Sequence, residues 1–188
     1  NSEKIITSID IGTSKISILV CEVVSANNIQ VLGMGTSILR GVKKGIIKDR
    51  SLFYNAMQNA LKRAQVSADI TIKNVVVNVP CGNTRFTIQT GILQNNSDRT
   101  LTSKDKEITM KKAIHCINKK DQSVLHVFPL NYRLDGQSTE LIQNQKFNAV
   151  EIDTGVILCD TKNLNTIVSC FKQLDLKIKG IISDFLSL

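Results

Sequence analysis

The feature that most constrains the fold is a pair of β-branched runs separated by a short polar turn near the start of the chain. Residues 5–9 and 16–20 are rich in isoleucine and valine, and the polar segment from Asp10 to Lys15 lies between them. Apolar runs bounded by a glycine-containing turn are typical of a β-hairpin. The pattern therefore predicts two antiparallel strands whose tip carries an acid, a glycine, two hydroxyls and an amine.

This turn contains the groups that a phosphate-binding loop needs. Gly12 permits positive φ and close approach of the backbone to a ligand, and Thr13 and Ser14 offer amide and hydroxyl donors. Asp10 can hold a hydrated Mg²⁺, which takes only one or two protein carboxylates, and Lys15 adds a positive charge. These five residues are the predicted phosphate site, with Asp10 also the predicted water-mediated magnesium ligand. A plain hairpin turn favours the same residue types, and at this point both interpretations stand.

Length and composition are those of ordinary globular material. The 188 residues are 42% hydrophobic and 21% charged, which suits one large domain or two small ones with a sizeable core. No apolar run approaches the ~20 residues that cross a bilayer, and the first residues show no signal-peptide pattern. Five cysteines without a C-x-x-C pair argue against a disulfide framework and a zinc site, so reduced thiols in a cytosol are expected.

The chain is basic, with 24 Lys and Arg against 16 Asp and Glu, and its net charge of +8 raises a nucleic-acid hypothesis. The basic residues are scattered in pairs, and aromatic residues make up only 4% of the chain, too few for a platform that stacks single-stranded bases. A basic surface that favours acidic partners or anionic lipid fits the charge as well, and a merely solvated surface fits it best.

The two histidines do not form a catalytic or metal-binding pattern. His115 adjoins Cys116, but adjacent helix residues point in different directions, and His126 has no acidic or cysteine neighbour at ligand spacing. No Ser-His-Asp or paired-carboxylate constellation can be assembled from the spacing, so no catalytic residue is predicted.

Hydrophobic periodicity predicts an α/β chain with an inserted module. The first part is read as strand, strand, strand, helix, strand, with a glycine-rich loop at 39–49, a third strand at 29–37, a helix at 52–66 capped by Ser51, and a strand at 72–79. The inserted part is read as a strand at 85–93, a helix from Thr102 or Ser103 to about Asn118, and strands at 124–135 and 150–159. Pro129 predicts that the strand at 124–135 lies at a sheet edge or contains a bulge.

The chain then returns to α/β alternation. A helix from Thr161 or Asn163 to about Leu174 is predicted, followed by a strand at 177–183. Its apolar side is predicted to consist of Leu164, Ile167, Val168 and Phe171.

These motifs resemble the FtsA family of bacterial cell-division proteins, which are actin-like ATPases. The resemblance rests on Asp10–Lys15 with Glu22, on Gly33-Met34-Gly35 and above all on Arg40–Asp49. Later stretches agree in order and spacing, at 72–79, 102–105, 124–135 and 174–182. The resemblance covers nearly the whole chain.

The resemblance implies an α/β fold, the actin-like/RNase H-like first half (β-β-β-α-β … α-β), with an inserted strand-helix-strand-strand α+β subdomain called 1C. Residues 1–81 and 161–188 would form an incomplete subdomain 1A, and residues 82–160 would form 1C. Two segments depart from the family pattern, Pro80-Cys81-Gly82 and the loop Gln143–Ala149. The second change is expected to alter any contact made through the 1C loop.

The function that the resemblance implies is that of a protein that polymerises, links FtsZ to the membrane and recruits later division proteins such as FtsN. ATP and Mg are the implied cofactors of the full-length protein, which would be at most a weak ATPase. The implied location is the inner face of the cell membrane at the division site, and no nucleic-acid partner is implied. Two alternatives stay open: half of a sugar or acetate kinase of the same superfamily, and a basic nucleic-acid-binding module.

Family members continue with a second phosphate loop, adenosine-binding residues, a surface that docks FtsZ and a C-terminal amphipathic membrane helix. The sequence contains none of these, so the chain is expected to be a fragment that supplies one wall of a nucleotide cleft. A single wall forfeits much of the enclosure of a strong phosphate site, and we expect this chain alone to bind ATP weakly or not at all.

Overall fold

The computed structural model describes residues 4–80, 82, 84–117, 120–140 and 144–183. The chain divides into two compact units, Asn1–Asn83 with Asp160–Leu188 and Thr84–Cys159, here called unit 1 and unit 2. Cys81, Asn118 and Gln143, which figured in the sequence analysis, lie outside the described residues. The assignment of the two units to subdomains 1A and 1C stays a prediction.

The helices and strands follow one another as the periodicity predicts, and three strands of two residues each are additional: 42–43, 46–47 and 137–138. In chain order they are β1 (Ile5–Ile11), β2 (Lys15–Ser25), β3 (Asn28–Ile38), β4 (Val42–Lys43), β5 (Ile46–Ile47), α1 (Arg50–Ala68), β6 (Asn74–Val79), β7 (Arg85–Gln94), α2 (Ser103–His115), β8 (Gln122–Leu134), β9 (Gln137–Ser138), β10 (Ala149–Asp160), α3 (Thr161–Gln173) and β11 (Lys177–Ser183).

Unit 1 is built on a five-stranded sheet in the order β11-β6-β1-β2-β3. The first three strands form an antiparallel meander, and β6 and β11 join the other side of β1 in parallel after crossovers through α1 and α3. Alternation along the strands buries one side of each, as at Ile9, Ile18 and Val77. The apolar stripe of α1, including Phe53 and Met57, is buried as predicted.

Two glycines let α1 lie close against β3. A Cβ atom on Gly35 would come within 2.1 Å of the Ala60 carbonyl oxygen, and one on Gly33 within 2.5 Å of the Ala68 backbone nitrogen. Ala64 completes a line of small helix residues at this contact, where the Gly35 Cβ would lie 2.4 Å from its nitrogen. The absence of side chains on both surfaces therefore sets the helix-to-strand distance.

Helix α3 begins at Thr161, one of the two predicted starts, whereas the cap of α1 differs from the prediction. Asp49, rather than Ser51, caps α1, because its side chain accepts a hydrogen bond from the Leu52 backbone N–H at 2.9 Å. Asp160 caps α3 in the same way, through the Asn163 N–H at 2.7 Å. The buried side of α3 also differs from the prediction, since Leu164 and Val168 are only half-buried. The buried residues are Asn163, Thr166, Ile167, Cys170 and Phe171.

The predicted loop at 39–49 contains a small hairpin, β4–β5. Lys44 and Gly45 form its tip with φ values of 49° and 72°, the left-handed conformation that tight two-residue turns need. The buried side chain of Asn163 holds this hairpin, because its Oδ1 accepts from the Ile47 N–H and its Nδ2 donates to the Gly45 carbonyl oxygen, both at 2.9 Å. The loop prediction was wrong in this respect because the stabilising partner lies 116 residues away in the chain.

Unit 2 is a four-stranded sheet in the order β7-β10-β8-β9 with α2 against it. Thr102 and Asp105 form a capping box at the start of α2. Strand β9 pairs with β8 only at Arg133 and Leu134, so Pro129 lies on a stretch that β9 does not cover, in agreement with the predicted edge. The core of unit 2 contains Leu101, Phe147, Val150 and Ile152, and a second buried cluster consists of Ile117, Val156 and Leu158.

Within the described ranges, no helix is both long enough and apolar enough to cross a membrane.

Candidate nucleotide site

The predicted phosphate residues lie together on the turn between β1 and β2, at the carboxyl end of β1. Strand β6 runs parallel to β1, and the register places Asn78 directly beside Asp10. The carboxyl ends of parallel strands are where open α/β sheets bind ligands. The fold therefore brings the two side chains to a position suited to a site.

Asp10 and Asn78 are joined by a hydrogen bond. The Asn78 Nδ2 donates to Oδ1 of Asp10 at 2.9 Å, and Asp10 is exposed. Oδ2 of Asp10 accepts from no other described residue. The amide thus fixes the carboxylate and leaves one oxygen directed to other ligands. Sequence reasoning missed Asn78, although a polar residue near the end of an otherwise apolar strand was a usable signal.

The turn is held in shape by two backbone hydrogen bonds. The Gly12 N–H donates to the Lys15 carbonyl oxygen at 3.0 Å, and the Leu39 N–H donates to the Ser14 carbonyl oxygen at 2.8 Å. Gly12 does not use the positive φ that a glycine permits. The missing side chain instead lets the turn close tightly, because a Cβ atom on this residue would lie 3.0 Å from the Lys15 carbonyl oxygen.

The remaining groups of the turn face outward. Thr13, Ser14 and Lys15 are exposed, and the backbone N–H groups of Thr13 and Ser14 donate to no described residue. Two amides, two hydroxyls and an ammonium group are the donors that phosphate oxygens accept from. Together with the Asp10 carboxylate, this set fits a phosphate chain and a hydrated Mg²⁺. In the described part of the chain, no group of three His, Cys, Asp or Glu residues forms a direct metal-binding cluster.

The strongest charge cluster of unit 2 is structural rather than catalytic. Arg133 donates to Glu151 through Nε at 2.9 Å and to Asp153 through both Nη atoms at 2.8 and 2.9 Å. The hydrogen bonds from Arg133, followed by the one from Thr90, lower the pKa of Asp153 to about 2. The same bonds raise the pKa of Arg133. Arg133 and Asp153 therefore stay ionised near neutral pH and are poor candidates for acid-base chemistry.

The histidines likewise lack a catalytic arrangement. His115 is exposed at the end of α2, and His126 is partly buried on β8. Burial lowers the pKa of His126, whose Nε2 finds no hydrogen-bond partner among the described residues. Among the described residues, neither imidazole forms a hydrogen bond or ion pair with an acid that would orient it for catalysis.

The backbone geometry defines the class of fold. A chain of the PilM–PilN type IV pilus biogenesis complex superimposes with a TM-score of 0.63 at 11% sequence identity, covering 97% of this chain and 48% of that chain. The chain therefore has the actin-like/RNase H-like fold that the sequence predicts.

Sequence comparison is more specific. No protein-family model matches the chain. The cell division protein FtsA of Pseudomonas aeruginosa is 29% identical over 187 residues, which are 99% of this chain and 45% of that protein. FtsA of Buchnera aphidicola is 26% identical over 184 residues, 95% of this chain and 43% of that protein. The chain is similar to FtsA proteins over nearly its whole length, and it spans less than half the length of these curated relatives.

Proposed function

We propose that this chain supplies the first phosphate-binding wall of an FtsA-like cell-division protein that binds ATP with Mg²⁺. The observation that carries the proposal is the turn Asp10–Lys15 at the carboxyl end of β1, in a chain whose relatives over 95–99% of its length are FtsA proteins. The exposed donors of the turn support phosphate binding, and the fixed Asp10 carboxylate supports a hydrated cation.

Each residue of the turn has a role in this proposal. Thr13 and Ser14 donate to phosphate oxygens through their amides and hydroxyls, and Lys15 adds a point charge. Asp10 binds Mg²⁺ through water, and Asn78 positions that carboxylate. The cation itself neutralises phosphate charge when it is bound. One wall alone encloses the phosphates poorly, so affinity for ATP in this chain is expected to be millimolar or weaker.

The site is tested by titrating the ¹⁵N-labelled chain with ATP and MgCl₂ and following the amide resonances. Shifts are expected at residues 12–15, Asp10 and Asn78, and Asp10→Asn should remove their dependence on Mg²⁺. Asp69→Asn, an equivalent change at the exposed end of α1, is the matched control and should leave the shifts intact. Shifts confined to other parts of the chain would overturn the site. Micromolar affinity would contradict the expectation of weak binding by one wall.

The wider role is part of the same proposal. In it the full-length protein polymerises, links FtsZ to the inner face of the cell membrane and recruits later division proteins such as FtsN, with unit 2 acting as the 1C interaction module. The edge strand β7 supports such a module, because Phe86, Ile88 and Ile92 are 37%, 51% and 49% exposed on it. Unpaired strand edges with apolar side chains are suited to pairing with another chain.

Sedimentation velocity tests the assembly role. The chain should self-associate as its concentration rises, and Ile88→Lys with Ile92→Lys should shift the equilibrium to monomer. Val66→Lys with Ile38→Lys, which adds the same two charges at positions of unit 1 that are each 75% exposed, should not. Association that survives the β7 changes would remove unit 2 from the proposed interface.

A further inference from the structure

A polar groove lies in unit 1 between the first half of α1, the length of α3 from Lys162 to Gln173, and the β4–β5 hairpin. It consists of two adjoining depressions of about 660 Å³ and 360 Å³, which share Arg50 and Thr166. Its two ends differ in chemistry. Lys48, Arg50 and Lys162 line one end, and Tyr54, Asn55 and Gln173 line the other.

The basic end belongs to a concentration of unpaired positive charge. Six exposed basic residues lie on the hairpin and at the starts of the two helices: Arg40, Lys43, Lys44, Lys48, Arg50 and Lys162. None of the six forms an ion pair with any described residue. Only Asp49 and Asp160 accompany them, so this region holds a net +4, half of the chain's +8.

The carboxylates of Asp49 and Asp160 accept hydrogen bonds from backbone N–H groups. Asp49 accepts from the Leu52 N–H at 2.9 Å, and Asp160 accepts from the Asn163 N–H at 2.7 Å. Both carboxylates therefore serve as helix caps and do not bind the neighbouring lysines and arginine. The helix starts themselves are satisfied by these caps, so the charge of the groove comes from side chains.

The charges are presented on a fixed support. Asn163 is 6% exposed and makes hydrogen bonds to Gly45 at the hairpin tip and to Ile47 on β5. The hairpin is thereby attached to α3 instead of moving as a free loop. A fixed array loses little conformational entropy when a partner binds to it.

We propose that this groove binds an acidic, extended peptide segment of a partner protein. Carboxylates of the segment would pair with Lys48, Arg50 and Lys162, and its backbone would hydrogen-bond with Tyr54, Asn55 and Gln173. A recess of this size suits a single peptide chain better than a flat bilayer surface. Single-stranded nucleic acid is disfavoured because Tyr54 is the one aromatic side chain available for stacking on this lining.

The test uses fluorescence anisotropy with a labelled peptide of about twelve residues composed of Glu and Asp, mixed with the whole chain. Binding is expected at roughly 50 mM salt and should weaken toward 200 mM as screening increases. The variant Lys48→Glu with Lys162→Glu should raise the dissociation constant at least about tenfold, because it replaces attraction by repulsion at the basic end. Circular dichroism checks that this variant stays folded.

The matched control is Lys62→Glu with Lys111→Glu, which changes the net charge equally at two exposed positions outside the groove. It should retain most of the binding. Equal losses in the two double variants would show a nonspecific response to net charge and overturn the proposal. The proposal would also be overturned if a single-stranded oligonucleotide, or vesicles containing phosphatidylglycerol, bound more tightly than the acidic peptide and depended on the same two lysines.

Discussion

Single residues decide the stability of unit 2 at the start of α2. Asp105 is 4% exposed, yet it accepts hydrogen bonds from Arg99 at 2.6 and 2.8 Å and from the backbone N–H of Thr102 at 2.9 Å. These bonds, the one from Arg99 foremost, lower the pKa of Asp105. The carboxylate is thus buried in its ionised form, and the helix start depends on it.

Replacing this carboxylate should be costly. Asp105→Ala removes the capping box and leaves Arg99 without its acceptors, and we expect a loss of about 2 kcal/mol in the free energy of unfolding. Urea denaturation at neutral pH measures it. Since the pKa is lowered, the contribution is present above about pH 4 and the difference between variant and wild type should shrink in more acidic solution. Asp98→Ala breaks an exposed pair with Lys146 and should cost less than about 0.5 kcal/mol.

His126 should also make stability depend on pH. Unlike Asp105, which is buried in its charged form, its ring is favoured in the neutral form by the folded state. Burial lowers its pKa below 6.5, so the folded state favours the neutral ring and the unfolded chain takes up a proton first as the pH falls. The free energy of unfolding should therefore decrease from pH 7 to pH 5. His126→Phe should make this part of the profile flatter. An identical slope in the variant would show that the imidazole does not contribute.

At the scale of elements, the contact between α1 and β3 depends on small residues on both surfaces. The helix backbone occupies the space where a side chain on Gly35 would lie. No flexible side-chain end is available to move aside, since the nearest atoms belong to the Ala60 and Ala64 backbones. This pair of elements can therefore pack in one way only, with glycine at that position.

Gly35→Ala should consequently destabilise unit 1 by about 2 kcal/mol or more, because helix and strand must separate. Thermal and urea unfolding followed by circular dichroism measure the change. Gly180→Ala is the matched control on β11, where the nearest atom to the added Cβ is Val76 Cγ1 at an ordinary 3.8 Å. If both variants lost the same stability, the close approach at Gly35 would not be the cause.

Local patterns in the sequence predicted nearly every element, and long-range contacts account for most of the differences. The β1–β2 hairpin and the buried side of α1 follow from periods of two and about 3.6 residues. The β4–β5 hairpin was not predicted because its stability depends on Asn163, far away in the chain. Asn78 was missed for the same kind of reason, since only the parallel pairing of β6 with β1 places it beside Asp10. The cap of α1 was misassigned because Asp49 and Ser51 are both acceptable by residue type, whereas the predicted cap Thr102 of α2 is confirmed.

At the scale of the molecule, each unit has a core of its own. Phe171 and Phe53 are fully buried in unit 1, whereas Phe147 and Leu101 are buried in unit 2. Contacts made mostly within a unit allow each one to open separately, as cooperative parts of larger proteins often do. Stability is then a property of each unit and not of the chain as a single body.

Phe147→Ala tests this independence. Truncation in the unit 2 core should cost about 3 kcal/mol there. Native-state hydrogen exchange should show reduced protection across 84–159, with protection of β1 and β6 unchanged. A uniform reduction over both ranges would mean that the two units unfold as one.

The hydrogen bonds of Asn163 also impose an order on folding during synthesis. The hairpin that they hold is complete when residue 47 emerges from the ribosome, but its anchor is made 116 residues later. At roughly 5–20 residues per second, this interval lasts on the order of ten seconds. Strand β6 also has one edge unpaired until its neighbour β11 is made. All of unit 2 is made in that interval, so it can fold before β11 completes the sheet of unit 1.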